Sequence, residues 1–381
     1  MKNIDKNVIY LGWVSFFTDM ASSMITTLLP IFIVYVLNEG VDKLGIIIAI
    51  STFISYIFRI LFGYFSDKYQ VVKPFATIGY FISAITKPLL YFSTTYISVA
   101  ILRSTDRMGK AIRASSKDVL ISSFVKNDEH GKTFGFHKMM DISGELFGAL
   151  IIFAIFMFIS KDETVIRNIF AFTLIPGLIA TFIIIVFVQD NPKSMKKTQK
   201  SMVINKKDFK LLYILFIYFG FMFFLMSEQF FIVKAKEDGY DISMIPIFII
   251  ILTFTQSVTS YYSGVLTDKI GISKSLILSF IFAIISILFI KINLWVSFVF
   301  LGLFTILSLN SIRTIISSHA ISKGFIYGVF YGGVAIFSSL GALTIGFIWE
   351  IYGVDAVILF SGVGMTCIFV ISFYILKLSK L

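Results

Sequence analysis

The chain has one cysteine, Cys367, and three histidines among 381 residues. A single thiol excludes an intramolecular disulfide, and three histidines without ligand-type spacing argue against a structural metal site. Neither Gly-x-Ser-x-Gly nor His-Glu-x-x-His occurs, so the nucleophile and zinc motifs of a membrane enzyme are missing, and no cofactor is expected. Charge is scarce as well: only 14% of residues are charged, and the acidic ones (22) are outnumbered by Lys and Arg (33). Soluble domains carry about a quarter charged residues, so this surface does not face water throughout. Long polar connections are also lacking, which leaves little room for a soluble receptor domain.

What remains is apolar. Hydrophobic residues make up 57% of the chain and aromatics 17%, with 44 Phe, and the mean hydropathy is +0.91. The apolar runs are continuous and do not alternate, which excludes a transmembrane β-barrel. A helix crosses the roughly 30 Å hydrocarbon layer with about 20 residues. Twelve candidate spans of that kind follow one another, at about 7 to 37, 43 to 65, 73 to 93, 95 to 116, 131 to 159, 166 to 188, 209 to 233, 243 to 266, 273 to 290, 294 to 316, 324 to 349 and 354 to 377. The first is too long and too polar, with Asp19 inside it, for a cleaved secretory signal. The expected fold class is therefore an all-α integral membrane protein of twelve transmembrane helices.

The excess of cations is unevenly spread. Lys193, Lys196, Lys197, Lys200, Lys206, Lys207 and Lys210 crowd one connection, whereas those at 38 to 43, 160 to 166 and 234 to 242 each carry more acid than base. That asymmetry is the positive-inside signature, and it places both termini and the Lys-rich connection in the cytoplasm. A prokaryotic inner membrane is the expected location. The anionic inner leaflet is a sufficient partner for these lysines, and nucleic acid is not implied.

The same Lys-rich stretch, residues 189–208, separates two matching halves, 1–188 and 209–381. "GYFSDK" at 63–68 recurs as "GVLTDK" at 264–269, Arg113 recurs as Arg313, and Gly131, Gly135 and Gly148 recur as Gly324, Gly328 and Gly341. Ordered matches at equivalent places indicate an internal repeat, a common plan of secondary transporters.

Two six-span halves with Gly-x-x-x-Asp-Lys at Gly63, Asp67, Lys68 and again at Gly264, Asp268, Lys269 resemble the major facilitator superfamily over essentially the whole chain. The resemblance implies two pseudo-symmetric six-helix bundles, alternating access and one central cavity lined chiefly by spans 1, 4, 7 and 10. It also implies a cytoplasmic gate formed by those six residues with Arg113 and Arg313. "DRMGKAIR" at 106–113 is similar to the Asp-Arg-x-Gly-Lys-x-x-Arg signature of a branch related to drug-exporter-like permeases. Efflux members typically carry Arg-x-x-Gln-Gly in span 4, and antiporters Gly-Pro-x-x-Gly in span 5. Here Arg103, Gly144 and Gly148 fit, while Asp106, Arg107 and Glu145 replace Gln, Gly and Pro.

Ionisable groups within spans are expensive and point to function. Arg103, Asp106, Arg107, Lys110, Arg113 and Lys117 share one arc of about 120° on a helix. With span 4 entering from outside near Thr95, Arg103, Asp106 and Arg107 lie about 12 to 18 Å down, while Arg113 and Lys117 lie about 27 Å down or deeper and snorkel to the cytoplasmic interface. Asp19 in span 1 and Asp141 in span 5 reach similar mid-depths. Span 5 repeats His137, Asp141 and Glu145 at fours, with Gly144 and Gly148 alongside, where another helix can approach. Four cations (Arg103, Arg107, Lys110, Lys138) thus face four carboxylates (Asp19, Asp106, Asp141, Glu145). Pairs such as Arg103 with Asp141 or Asp19 are expected, because a buried charge needs a counter-charge. Such pairs either hold the N-terminal half together or couple transport to protons.

The first expectation is a monomeric, proton-coupled exporter of a small organic solute or drug. Uptake or exchange of an organic anion, drawn by Arg107 and Lys110, is the alternative. A metal carrier using His137, Asp141 and Glu145, or a non-transporting membrane receptor, follows behind.

Overall fold

A computed structural model describes residues 5–69, 72–124, 130–190, 209–320 and 323–379. Among them the regular secondary structure is all helical. Helix α1 spans Lys6–Ile31 and opens on Asp5, whose carboxylate accepts the Asn7 N–H at 2.9 Å. Pro30 lies inside it and cannot donate to the preceding turn, and the chain passes directly into a π-helical segment at Phe32–Val36. Asn38, with φ 53°, follows the end of that run. Helix α2 is Val41–Tyr69, and α3 is Lys73–Thr86, closed ahead of Pro88 and followed by a 3₁₀ turn, Pro88–Phe92. Helix α4 is Tyr96–Ser123 and α5 is His130–Phe158.

The span expected at 166 to 188 is two helices, α6 (Glu163–Phe172) and α7 (Leu174–Val186). They part at Thr173, where Pro176 has no N–H to offer the carbonyl four residues back. The span expected at 209 to 233 is also broken, into α8 (Phe209–Phe224) and α9 (Glu228–Glu237). Helices α10 (Ile245–Ile270), α11 (Ile272–Phe289) and α12 (Leu294–His319) follow. Helix α13 runs Lys323–Ser379 with one non-helical residue, Gly353 (φ 78°, ψ 175°), a conformation that an L side chain rarely adopts.

Ten helical segments among the described residues are long and apolar enough to cross a membrane. Helix α4 is not one of them, because its charges interrupt the apolar run. The segment Ile326–Phe373 counts once although Gly353 breaks it. Helices suit this setting because every interior N–H and C=O is satisfied within the segment.

The chain forms two compact units. The first comprises Met1–Glu39, Ile50–Thr198 and Asp241–Ile247. In it α5 lies on α1 in backbone contact: a Cβ on Gly144 would sit 2.2 Å from the Phe16 carbonyl oxygen, and one on Gly148 2.4 Å from that of Met20. Helix α3 meets α4 in the same manner, since a Cβ on Gly79 would fall 2.6 Å from the Gly109 oxygen. Helix α7 covers α1 and α3 through a buried cluster that includes Leu11, Val14, Ala76, Tyr80, Ala180 and Ile184. Lipid is as apolar as leucine, so close backbone packing of this kind, more than hydrophobic expulsion, joins helices in a bilayer.

The second unit comprises Gly40–Ala49, Gln199–Tyr240 and Phe248–Leu381. Helix α13 lies on α8, where a Cβ on Gly341 would sit 2.2 Å from the Phe223 oxygen. Gly148 and Gly341, equivalent in the sequence repeat, thus do the same work in their own units. The interior here is aromatic: Phe221 stacks on Phe280 with centroids 4.1 Å apart, and Phe248 on Trp295 at 4.2 Å. Neutral polar groups within it are paired locally, as where Ser286 Oγ donates to the Ser297 carbonyl at 2.8 Å.

Candidate functional site

The charged stripe of α4 divides between two neighbours within the first unit. One part faces α3. Asp106 accepts from Lys87 Nζ (2.9 Å) through one oxygen and from Arg103 Nη1 (3.0 Å) through the other. Lys87 and Arg103 are each 2% exposed. Lys87 also donates to the Ser83 carbonyl at 3.2 Å, Arg113 Nη1 donates to Ser83 Oγ at 2.7 Å, and the Arg113 guanidinium stands 4.6 Å from the centre of the Tyr80 ring. The contact between Gly79 and Gly109 brings the helices close enough for these short bonds. Two cations and one carboxylate are therefore locked between packed helices, a geometry that fixes α3 to α4.

The expected pairing of Arg103 with Asp141 or Asp19 is corrected by this arrangement: Arg103 reaches one turn along its own helix to Asp106. Arg113 is corrected too. It does not snorkel to an interface but is buried against Tyr80 and Ser83, held there by ring attraction and hydrogen bonding. Lys87 is a member of the cluster that the sequence does not single out.

The other part of the stripe faces α1 and α5. Lys110 Nζ lies 3.8 Å from Asp19 Oδ1. Asp141 has three basic neighbours: His137 Nδ1 at 3.3 Å, Lys117 Nζ at 3.7 Å and Lys138 Nζ at 4.0 Å. Lys117, a cytoplasmic anchor by its place in the sequence, is thus corrected to a neighbour of Asp141. His137 Nε2 is 2.9 Å from Ser15 Oγ on α1, so the imidazole joins α1 to the Asp141 side of α5. Ser15, His137 and Asp141 follow the order of a nucleophile, base and carboxylate, but Ser15 is 2% exposed, which closes it to a substrate carbonyl. Sequence reasoning misses Ser15, whose one signal is its place four residues before Asp19 on α1.

Glu145 continues the row of His137 and Asp141 along α5. It is half-buried and forms no ion pair among the described residues. Arg107 is likewise half-buried and without an ion pair among the described residues. Lys110 and Lys138 keep much of their side chains accessible, 37% and 57%. The two clusters therefore differ in kind. The α3–α4 set is dry, with charged contacts of 2.9 and 3.0 Å. The α1–α4–α5 set is looser, with contacts of 3.3 to 4.0 Å and partly accessible lysines.

The expected gate residues are less informative. Gly63, Asp67 and Lys68 belong to the last turns of α2, and the side chains of Asp67 and Lys68 fall outside the described ones, as does that of Asp268 in α10. Gly264 has open space around it, and Lys269 and Arg313 are exposed. The connection at 191–208 lies outside the described residues. Among the described residues no group of three or more His, Cys, Asp or Glu side chains is placed to hold a metal ion.

A bundle of apolar helices with ionisable groups deep inside is the build of a membrane carrier, and residues 11–341 match the Major Facilitator Superfamily as a sequence family. The chain belongs to that superfamily. It is 29% identical over 369 residues to an uncharacterised MFS-type transporter of Methanocaldococcus jannaschii, covering 92% of this chain and 90% of the relative. In fold it is similar to a point mutant of the nucleoside transporter NupG (TM-score 0.82, 13% identity, 97% of this chain and 100% of the other). It is similar also to a human organic anion transporter (TM-score 0.66, 11% identity, 97% and 98%). At these identities the likeness is one of fold, and the solutes of those proteins are theirs. The protein is thus a multi-pass membrane transporter of this superfamily, and its family and neighbours are carriers, not enzymes.

Proposed function

We propose that this chain exports a small organic solute or drug in exchange for protons, moving between access states as two six-helix bundles, 1–188 and 209–381, joined by the Lys-rich segment 189–208. Secondary transport by alternating access is the shared mode of the superfamily; direction and coupling are the proposal. The observation that carries it is the looseness of the α1–α4–α5 cluster. Its lysine–carboxylate pairs span 3.7 to 4.0 Å, and two of the three lysines have accessible side chains, so a small helix movement exchanges partners at little cost. A carboxylate that loses its cation in an apolar setting takes up a proton, which makes protonation depend on the access state. Asp19, Lys110, His137, Lys138, Asp141 and Glu145 are the working set in this reading, while Arg103, Asp106 and Lys87 brace the helices that carry it.

In the same reading the twelve spans lie in a prokaryotic inner membrane with both termini in the cytoplasm, the carrier works as a monomer, and the two Gly-x-x-x-Asp-Lys segments with Arg113 and Arg313 act at the cytoplasmic gate. A second reading, uptake or exchange of an organic anion, draws on Arg107, which has no ion pair among the described residues, and on the accessible Lys138.

The deciding experiment begins with a thermal-shift screen of the purified protein against drugs, metabolites and organic anions. Ligands found there are then tested in proteoliposomes with the pH gradient set in each direction. Export coupling predicts solute-dependent proton movement opposite to the solute. Co-directional movement favours anion uptake, and solute flux without proton movement sinks the coupling.

A further inference from the structure

Three carboxylates, Asp19, Asp141 and Glu145, share the looser cluster, and the geometry separates them. Gly144 meets the Phe16 oxygen and Gly148 the Met20 oxygen. Glu145 on α5 and Asp19 on α1 therefore sit at the same level of one tight helix contact, bracketed by the same two backbone approaches. Asp19 has Lys110 at 3.8 Å, and Asp141 has His137, Lys117 and Lys138 at 3.3 to 4.0 Å. Glu145 has no such partner among the described residues.

We propose that Glu145 is the group that binds and releases the coupling proton, with the Asp19–Lys110 pair as its switch. The assignment rests on the proton-coupled reading above and names its titrating residue. Asp19 and Glu145 lie at one level with a single cation, Lys110, in contact with either of them, an arrangement most easily accommodated with one proton between the two, and that proton belongs on Glu145, which lacks the contact.

The groups that act on Glu145 come from each helix packed there: Asp19 from α1, Lys110 from α4, and Lys138 and Asp141 from α5 itself. Lys117 of α4 and His137 of α5 are taken up by Asp141. Asp241, in the segment that also approaches α5, is engaged by Lys161 at 2.5 Å. Lys110 is the cation able to change partners, since its 3.8 Å contact with Asp19 is long and its side chain is 37% exposed. When Lys110 turns from Asp19 to Glu145, the Glu145 O–H bond breaks, its electron pair stays on the carboxylate and the proton leaves to water on the open side. The return of Lys110 to Asp19 reverses the step.

The test needs no solute. The full chain in lipid bilayers is titrated across the neutral range while the infrared C=O stretch of protonated carboxyl groups is recorded. The expected result is one titrating band that is present in the wild type and in Asp141→Asn, moved to lower pH or lost in Asp19→Asn, where Lys110 is released to Glu145, lost in Glu145→Gln, and displaced in Glu145→Asp. A band that survives unchanged in Glu145→Gln, or a wild type with no titrating band, overturns the assignment. If Glu145→Gln does not fold, Glu145→Asp decides: a displaced band supports the proposal and an unmoved one overturns it. Solute flux that ignores the pH gradient would sink the coupling reading even where the band maps to Glu145. Coupled flux with an unchanged band in Glu145→Gln would sink the Glu145 assignment alone.

Discussion

Lys87 Nζ and Asp106 Oδ1 lie 2.9 Å apart at the contact of α3 and α4, both side chains almost wholly withdrawn from solvent. The same carboxylate also holds Arg103, so these three groups carry one more cation than anion. Removing the anion and removing one cation are then unequal changes. Asp106→Asn removes the carboxylate that both buried cations share, and breaking a buried pair in this way costs about 3 to 5 kcal/mol. Lys87→Met leaves the neutral Arg103–Asp106 pair and fills the space with an apolar chain of similar length. Thermal unfolding of the two purified variants in detergent should show a large loss for Asp106→Asn and a small one for Lys87→Met. Equal losses would contradict the bracing role.

The contact of α1 with α5 predicts a second asymmetry. Gly144→Ala places a methyl group where the Phe16 oxygen stands 2.2 Å away, backbone that cannot swing aside, whereas Gly135 has nothing within 4 Å of an added Cβ. Overpacking costs about 1 to 3 kcal/mol. Gly144→Ala should therefore lower the yield of monodisperse protein on gel filtration and its melting temperature, and Gly135→Ala should change neither. The same comparison holds in the second unit, with Gly341→Ala as the damaging change and Gly328→Ala as the harmless one.

These contrasts show where the sequence is legible. Gly144 and Gly148 lie one turn apart beside Glu145, and that spacing alone marks a face for close helix approach; the structure supplies α1. The charged stripe of α4 is visible as an arc, but an arc read on one helix does not say that Gly79 and Gly109 press α3 against one edge of it. Lys87 therefore stays hidden: it follows an apolar run in α3, ahead of Pro88, and nothing local marks it as the partner of Asp106. Lys117 and Arg113 mislead for a related reason. A depth count along the helix axis tells how far a residue lies from an interface, not which neighbour its side chain meets. The breaks of α6 from α7 and of α8 from α9 differ likewise, for Pro176 announces the first and no proline or glycine announces the second.

At the other end of the first unit Lys161 and Asp241 are 2.5 Å apart, and Ser243 donates to the same carboxylate through its N–H (2.9 Å) and hydroxyl (2.6 Å). The hydrogen bonds from Lys161 and Ser243 hold the Asp241 carboxyl well below the usual carboxylate range. A depressed value means that the stabilisation is fully present above the unfolded-state value of about 3.9 and is lost as pH falls through the lower folded value. Asp241 is largely exposed, so solvent screening keeps the contribution small. The difference in melting temperature between wild type and Asp241→Asn should be constant from neutral pH to about 5 and shrink below about 4. A difference that vanishes already near neutral pH would contradict the hydrogen-bonded geometry.

Lys117 offers the sharpest departure from what its position in sequence suggests. A lysine at the cytoplasmic end of a span is ordinarily an anchor that a glutamine replaces without harm. Here Lys117 lies 3.7 Å from Asp141 with its side chain only 19% exposed, and it is one of three basic groups around that carboxylate. Lys117→Gln leaves Asp141 to His137 and to the mostly exposed Lys138, whose contact is 4.0 Å long. The balance that keeps Asp141 paired while Glu145 exchanges its proton is then disturbed. Counterflow of a ligand identified by thermal shift should fall in Lys117→Gln, with folding retained, and should be unchanged in Lys6→Gln, an exposed lysine at the start of α1. Replacing Asp141 as well, in Lys117→Gln with Asp141→Asn, removes the unbalanced carboxylate and should restore thermal stability without restoring counterflow. Full counterflow in the single Lys117→Gln variant would return that lysine to the role of an anchor.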